Sequence, residues 1–387
     1  MTTTFHTPKI TSRLPRVGTN IFTLMSALAQ QHNAVNLGQG FPDFDCAPEL
    51  IDAVNAAMRG GLNQYPPMAG VLVLREAIAA KIAALYGQVY DPGSEITVTA
   101  GATQAIITAI LALVHPGDEV IVLDPCYDSY EPNIELAGGV AVHVPLTPGS
   151  FAPDFVLLKA AITPRTRAIV INTPHNPSAS VWSAAHMQSL ADLLRSTDIV
   201  VIADEVYEHM VFDGALHQSV ARSPELAQRC IVVSSFGKTY HVTGWKVGYA
   251  AAPAALMAEF RKVHQFNVFT VNTPMQHGLA TFMADASRHL DLPAYYQRKR
   301  DLFRSGLAQT RFVLLPSAGS YFQCVDYTAI SDLDEEAFCR WLTAEIGVAA
   351  IPVSAFYQGG FEQRLARFCF AKKDQTLKLA LERLAEL

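Results

Sequence analysis

From about residue 71 to residue 250, short β-branched runs alternate with helical patterns, and that alternation most restricts the fold. EITVTA precedes the helical pattern GATQAIITAILALV, and EVIVLDP follows as a second short strand. RAIVINTP, the helical stretch through SLADLLRS, DIVVIADE and RCIVVSSFGK continue the series. Fully apolar strands of this length, separated by helices, build a buried, mostly parallel sheet covered on both faces. In VLVLREAIAAKIAALYG, Leu74, Ile78, Ile82 and Leu85 share one helical face. The last hundred residues mix two long helical patterns with the short strands RFVLLP, SYFQCVDY and RFCFAKK, which reads as a smaller α+β unit. The expected division is an N-terminal segment 1–45 belonging to the small domain, a large domain 46–285 and a C-terminal small domain 286–387.

Half of the 387 residues are hydrophobic and 17% are charged, enough apolar surface for such a core. A formal charge of −6 without any Lys/Arg-rich run argues against a nucleic-acid surface. No apolar run reaches the roughly 20 residues needed to cross a bilayer, so no membrane partner is expected. The six cysteines are scattered without a C-x-x-C pair, and the polar start MTTTFHTPKITSRLPR has no apolar signal core. These features point to reduced thiols and a cytoplasmic location.

Ligands of open α/β sheets gather at the carboxyl ends of the strands. Here those ends carry unusual residues. Gly101, Ala102 and Thr103 lead from a strand into a helix, offering N–H groups and a positive dipole end to an anion. NTPHNP holds Asn172 and Asn176 in a proline-rigid turn. ADEVY puts Asp204 at the end of an uncharged run with Tyr207 three residues on, and SSFGK delivers Ser235 and Lys238. A second lysine, Lys246, follows in the same apolar, glycine-rich segment. A phosphate site, one buried carboxylate and one lysine at a shared sheet edge suit pyridoxal phosphate (PLP). Its aldehyde needs an amine, its pyridine nitrogen a carboxylate, and its phosphate a helix N-terminus with hydroxyls and a cation.

Each residue alone has a plainer reading. Asp204 could cap a helix, Asn176 could serve a turn, and Lys238 could be a solvated tip on an apolar stem. Their order at successive strand ends outweighs those readings. LGQGFPD lacks the third glycine and following helix of a dinucleotide loop, and the twelve histidines show no metal-ligand spacing, so no metal is expected.

The run S-F-G-K-x-x-x-x-x-G-x-K-x-G, with HNP and DEVY, resembles the class I, fold-type I PLP-dependent aminotransferases. VNLGQGFPDF, NTPHNPS and TGWKVG are most similar to the kynurenine/glutamine transaminase K branch and to bacterial methionine aminotransferases. The resemblance runs from VNLGQGFPDF to RFCFAKK and implies a large domain with a seven-stranded, mostly parallel sheet. By position it makes Lys238 the Schiff-base lysine, Asp204 the pyridine-nitrogen partner, and Tyr207 and Asn176 the partners of the ring O3′. Gly101, Ala102, Thr103, Ser235 and Lys246 would hold the phosphate. Lys246 stands where many relatives have arginine, a point charge in place of a bidentate fork.

Tyr127 would stack on the cofactor ring, and Tyr65 would reach the phosphate of a neighbouring subunit, which implies a homodimer with shared sites. Arg367 would grip the substrate carboxylate, with Gly38 a backbone contact beside it. Family members that favour aspartate add an arginine where HQFNVFTVNTP presents Phe266 and Phe269. The expected donors are therefore neutral amino acids, methionine first, then aromatic ones, glutamine or kynurenine. In the expected reaction, the amino acid displaces Lys238 and the freed amine moves a proton from Cα to the cofactor's C4′. Two other readings share the cofactor: a cysteine-S-conjugate β-lyase, and a non-catalytic PLP-sensing regulatory module, for which no basic helix-turn-helix is present.

Overall fold

The computed structural model describes residues 8–387. Seven strands form the large sheet: β1 (Ile96–Thr99), β2 (Glu119–Asp124), β3 (Val140–Pro145), β4 (Thr166–Asn172), β5 (Val200–Asp204), β6 (Cys230–Ser235) and β7 (Gly248–Ala251). Their spatial order is β1-β7-β6-β5-β4-β2-β3. β7 runs antiparallel to both neighbours, while the other adjacent pairs are parallel. Strands β2, β4, β5 and β6 read as apolar runs because helices cover both of their faces. Two strands were not legible beforehand. β7 is GYAA, low in β-propensity, and β3 is a partly exposed edge strand.

The helix Leu72–Tyr86 buries Leu74, Ile78 and Ile82 and ends at Gly87 in the left-handed conformation. The smaller unit has β8 (Val313–Leu314), β9 (Phe322–Asp326), β10 (Ile351–Pro352) and β11 (Leu365–Cys369), in the order β10-β11-β9-β8 and antiparallel throughout. Met25, Val35 and Leu37 share its core with Phe303, Phe338, Phe368 and Leu384. The N-terminal chain therefore packs with the C-terminal part, although it also touches the large sheet's side: Arg16 pairs with Glu131 and Glu135, and Asn20 bonds Asp128.

Register aligns the chemistry. Thr99 and Ser235 both pair with Gly248, so three neighbouring strand ends meet at one glycine. Asn172 lies opposite Asp204 on the adjacent pair. Beneath this edge a buried polar knot ties the strands together. Glu208 accepts from Lys81 (2.6 Å), Tyr86 (2.5 Å), Ser234 (2.5 Å) and Tyr249 (3.1 Å). Burial opposes its charge, but Lys81, His209 and these hydrogen bonds outweigh burial and hold the carboxyl well below the usual range.

Candidate active site

A cleft of about 290 Å³ opens at the carboxyl edge of the sheet. Lys238, Asp204, Tyr207, Asn176, Ser235, Lys246, Tyr127 and Arg367 all line it, as do Gly101, Ala102 and Thr103. These residues come from both units of the fold, so the cleft exists only once the two have packed.

The Gly101–Leu113 helix points its N-terminus into the cleft. Gly101 has φ +77, and a Cβ there would lie 3.4 Å from Lys246 Nζ. An ammonium beside the positive end of a helix is unfavourable alone and favourable once an anion sits between them. A Cβ on Gly248 would meet Ser234 O at 2.6 Å and Ala102 N at 3.2 Å, so only glycine lets β7 pass this turn. The turn can hold a phosphate.

Asp204 accepts from Tyr130 OH at 2.7 Å and from Val206 N at 3.3 Å. Asn172 Nδ2 donates to its backbone oxygen at 2.8 Å, and Asn172 Oδ1 accepts from Asn176 N at 2.8 Å. Burial pushes the Asp204 carboxyl up to about 6, against the opposing pull of Tyr130, Val206 N and Lys238. Burial likewise lowers Lys238 to about 8. Lys238 Nζ donates to Gly40 O and to Tyr321 OH, both at 2.9 Å.

Arg367 is 1% exposed, and burial lowers its pKa, but a guanidinium keeps its charge in proteins. Its Nη1 donates to Asn176 Oδ1 at 2.6 Å and its Nη2 to Gly38 O at 2.8 Å, while Nε is buried without a partner. The rings of Phe322, Phe356 and Phe22 surround the guanidinium at 4.1, 5.1 and 5.3 Å. Such a cation, boxed by rings and left with an unused donor, suits a carboxylate. The helix N-terminus, the Lys238 amine, the buried Asp204 and the orphaned Arg367 donor together fit PLP and an amino acid.

One placement departs from expectation. Phe266 and Phe269 do not line the cleft of their own protomer; they lie at the surface, 86% and 42% exposed. The apolar wall comes instead from Phe22, Phe41 and Phe322. Tyr65, expected to serve a neighbouring subunit, also lies outside its own protomer's cleft, 84% exposed, with its ring edge-on to Phe269 at 5.4 Å. The stretch LGQGFPD, unfit for a dinucleotide, nevertheless supplies Gln39, Gly40 and Phe41 to the cleft. Tyr130 and Tyr321 also went unnoticed. The only sequence signal for Tyr321 was the aromatic density of SYFQCVDY.

The family model "Aminotransferase class I and II" matches residues 32–384. Methionine aminotransferase of Escherichia coli (strain K12) is 52% identical over 377 residues, covering 97% of this chain and 98% of the relative. Kynurenine–oxoglutarate transaminase 1 of Homo sapiens is 36% identical over 408 residues, with 96% of each chain covered. Among solved structures, YbdL of Escherichia coli, described as having a methionine aminotransferase function, aligns with a TM-score of 0.97 at 52% identity, covering 98% of this chain and all 100% of that one. N-Succinyldiaminopimelate aminotransferase of Mycobacterium tuberculosis aligns at 0.93 with 43% identity, over 98% and 100% of the two chains. With a lysine, a carboxylate and an anion-binding turn at one sheet edge, and with sequence and fold agreeing over nearly its whole length, this chain belongs to the class I and II aminotransferases and is a PLP-dependent enzyme of fold type I.

Proposed function

We propose that the enzyme moves the amino group of a neutral amino acid, methionine first and aromatic donors next, to a 2-oxo acid. The observation that carries this reading is the cation count of the cleft. Among the described lining residues only Lys238, Lys246 and Arg367 are basic; Phe22, Phe41 and Phe322 supply the apolar wall, with Phe22 and Phe322 flanking Arg367. Two of these cations have cofactor work, which leaves one for a single carboxylate. A donor side chain then meets rings, and a thioether gains about 0.3–1.5 kcal/mol from such contacts. The 52% identity to a methionine aminotransferase supports the same choice.

When bound, PLP supplies an aldehyde carbon for the amino group and a ring that draws electrons away from Cα. Lys238 would be the amine that holds this cofactor, and its Nζ, once free, would take the proton from the donor's Cα. Asp204 would keep the ring nitrogen protonated, Asn176 and Tyr207 would bond the ring oxygen, and Tyr127 would cover the ring. Ser235, Lys246 and the 101–103 turn would hold the phosphate, and Arg367 with Gly38 and Asn176 would orient the donor carboxylate.

The exposed pair Tyr65 and Phe269 supports a homodimer, in which Tyr65 completes the phosphate site and Phe269 the substrate wall of a second copy. The domain limits that fit the shared core are 46–285 for the large domain, with 8–45 and 286–387 forming the small one; residues 1–7 of the expected N-terminal segment lie outside the described residues. Six free thiols suit a reducing compartment such as the cytoplasm. Among the described residues no helix is long and apolar enough to cross a membrane.

Half-reaction spectra against a panel of amino acids test the proposal. Methionine, phenylalanine and tyrosine should bleach the cofactor band faster than aspartate, and Lys238→Ala should bind cofactor but not turn over. Faster reaction with aspartate would refute the pocket reading. Pyruvate and ammonia released without added oxo acid would favour the β-lyase instead.

A further inference from the structure

The geometry points to Tyr321 as a positioning residue for Lys238: its hydroxyl, with the Gly40 carbonyl, forms the seat on which the lysine amine rests whenever it is not bonded to the cofactor. This rests on the role given to Lys238 above and goes on to name what holds and tunes that amine between bond-breaking and proton transfer.

The contact is built, not incidental. Lys238 Nζ donates to Tyr321 OH and to Gly40 O at 2.9 Å each, and Tyr321 OH itself donates to Gly40 O. One phenol oxygen therefore accepts from the amine while its hydrogen is committed elsewhere. The rings of Tyr207 and Tyr321 flank the amine at 5.7 and 5.5 Å and pack edge-on against each other at 5.0 Å. Tyr321 is fully buried. Its carrier, Ser320, has φ +57, and its N–H is held by Met210 O at 2.8 Å. A serine adopts that left-handed conformation where its surroundings over-determine it. Gly40 and Tyr321 lie 281 residues apart, so the seat closes only when the loop after Leu37 and the small-domain strand meet.

When Nζ takes the Cα proton, the neutral amine becomes an ammonium with three N–H donors. Two meet the oxygens of Tyr321 and Gly40, and the third faces the cleft. The seat thus stabilises the charged form and fixes where the proton waits. The other titratable or charged groups facing this amine are Asp204, which favours its charge, Arg367 and Lys246, which oppose it, and the Cys369 thiol. Burial is the largest influence and pulls the amine down to about 8. The phenol oxygen works against that pull.

The test is Tyr321→Phe in enzyme loaded with pyridoxamine phosphate, the form in which Lys238 is free. Incorporating ε-¹³C-lysine, with Lys238→Ala to assign the signal, reads the titration of this one amine. Losing a hydrogen bond to an ammonium should move it down by about one pH unit. In the pyridoxal-phosphate form, the acid limb of the single-turnover rate with an α-deuterated donor should move down as well, and the isotope effect should grow. A merely structural tyrosine would scale the rate and leave both titrations in place, and that result would overturn the inference. If the phenylalanine variant does not fold, 4-aminophenylalanine at 321 keeps the shape with a weaker, uncharged acceptor and should shift both titrations the same way by less; no shift would again overturn it. Wild-type enzyme inert towards every amino acid would sink the proposed function alone, since the carbon titration still reads the seat.

Discussion

Replacing Asp204 by asparagine tests the central electrostatic claim without any turnover. Burial holds this carboxyl near 6, against 3.8 in an unfolded chain, so folding disfavours its charge. The folded-state value is raised, so its contribution to stability is fully present below 3.8 and is lost as pH climbs through 6. A shift of 6 − 3.8 = 2.2 pH units corresponds to about 3 kcal/mol in total, of which about 2 kcal/mol is lost between pH 4.5 and 7. Asparagine does not titrate. The cofactor-free variant should therefore gain about 2 kcal/mol on wild type across that interval, whatever fixed offset arises from its altered bonding to Tyr130 and Val206 N. Urea unfolding at constant protomer concentration from pH 4.5 to 8 measures the difference. Saturating PLP should reverse the ranking, because the ring-nitrogen cation stabilises only the aspartate. A stability difference that stays flat with pH would refute the reasoning, since Asp204 would then ionise as if solvated.

Gly248→Ala places a methyl 2.6 Å from Ser234 O and 3.2 Å from Ala102 N, so the phosphate turn must shift. PLP affinity should fall at least about tenfold by fluorescence titration, the order expected from one misplaced charge-assisted bond of about 1.5–3 kcal/mol; unchanged affinity would deny that β7 shapes the turn. Arg367→Lys removes the fork that bonds Asn176 and Gly38 together, and a lysine point charge does not restore both. The donor KM should rise by about ten- to a hundredfold with a smaller change in kcat, again the size of one such bond. A KM within threefold of wild type in steady-state assays would move the carboxylate site elsewhere.

The amino-acid sequence determined the elements whose signals are local. Apolar runs such as IVIN and VVIAD specify buried strands because both of their faces must be covered, and the chemistry-bearing residues stand at their ends because sheet ligands gather there. Lys238, Asp204 and the 101–103 turn were legible for that reason: each is a short-range motif tied to one strand end. The tertiary structure decided what depends on distant meetings. Arg367 finds Asn176 across 191 residues and Gly38 across 329, and no periodicity encodes such a pairing. The same holds for the wall of Phe22, Phe41 and Phe322, drawn from an N-terminal helix, a loop and a late strand, where the family resemblance had pointed to Phe266 and Phe269. A strand of glycine, tyrosine and alanine became β7 because its first residue, paired with both Thr99 and Ser235, has no room for a Cβ against Ser234 O and Ala102 N. Local propensity chooses elements; close packing between elements chooses which side chains share a cleft.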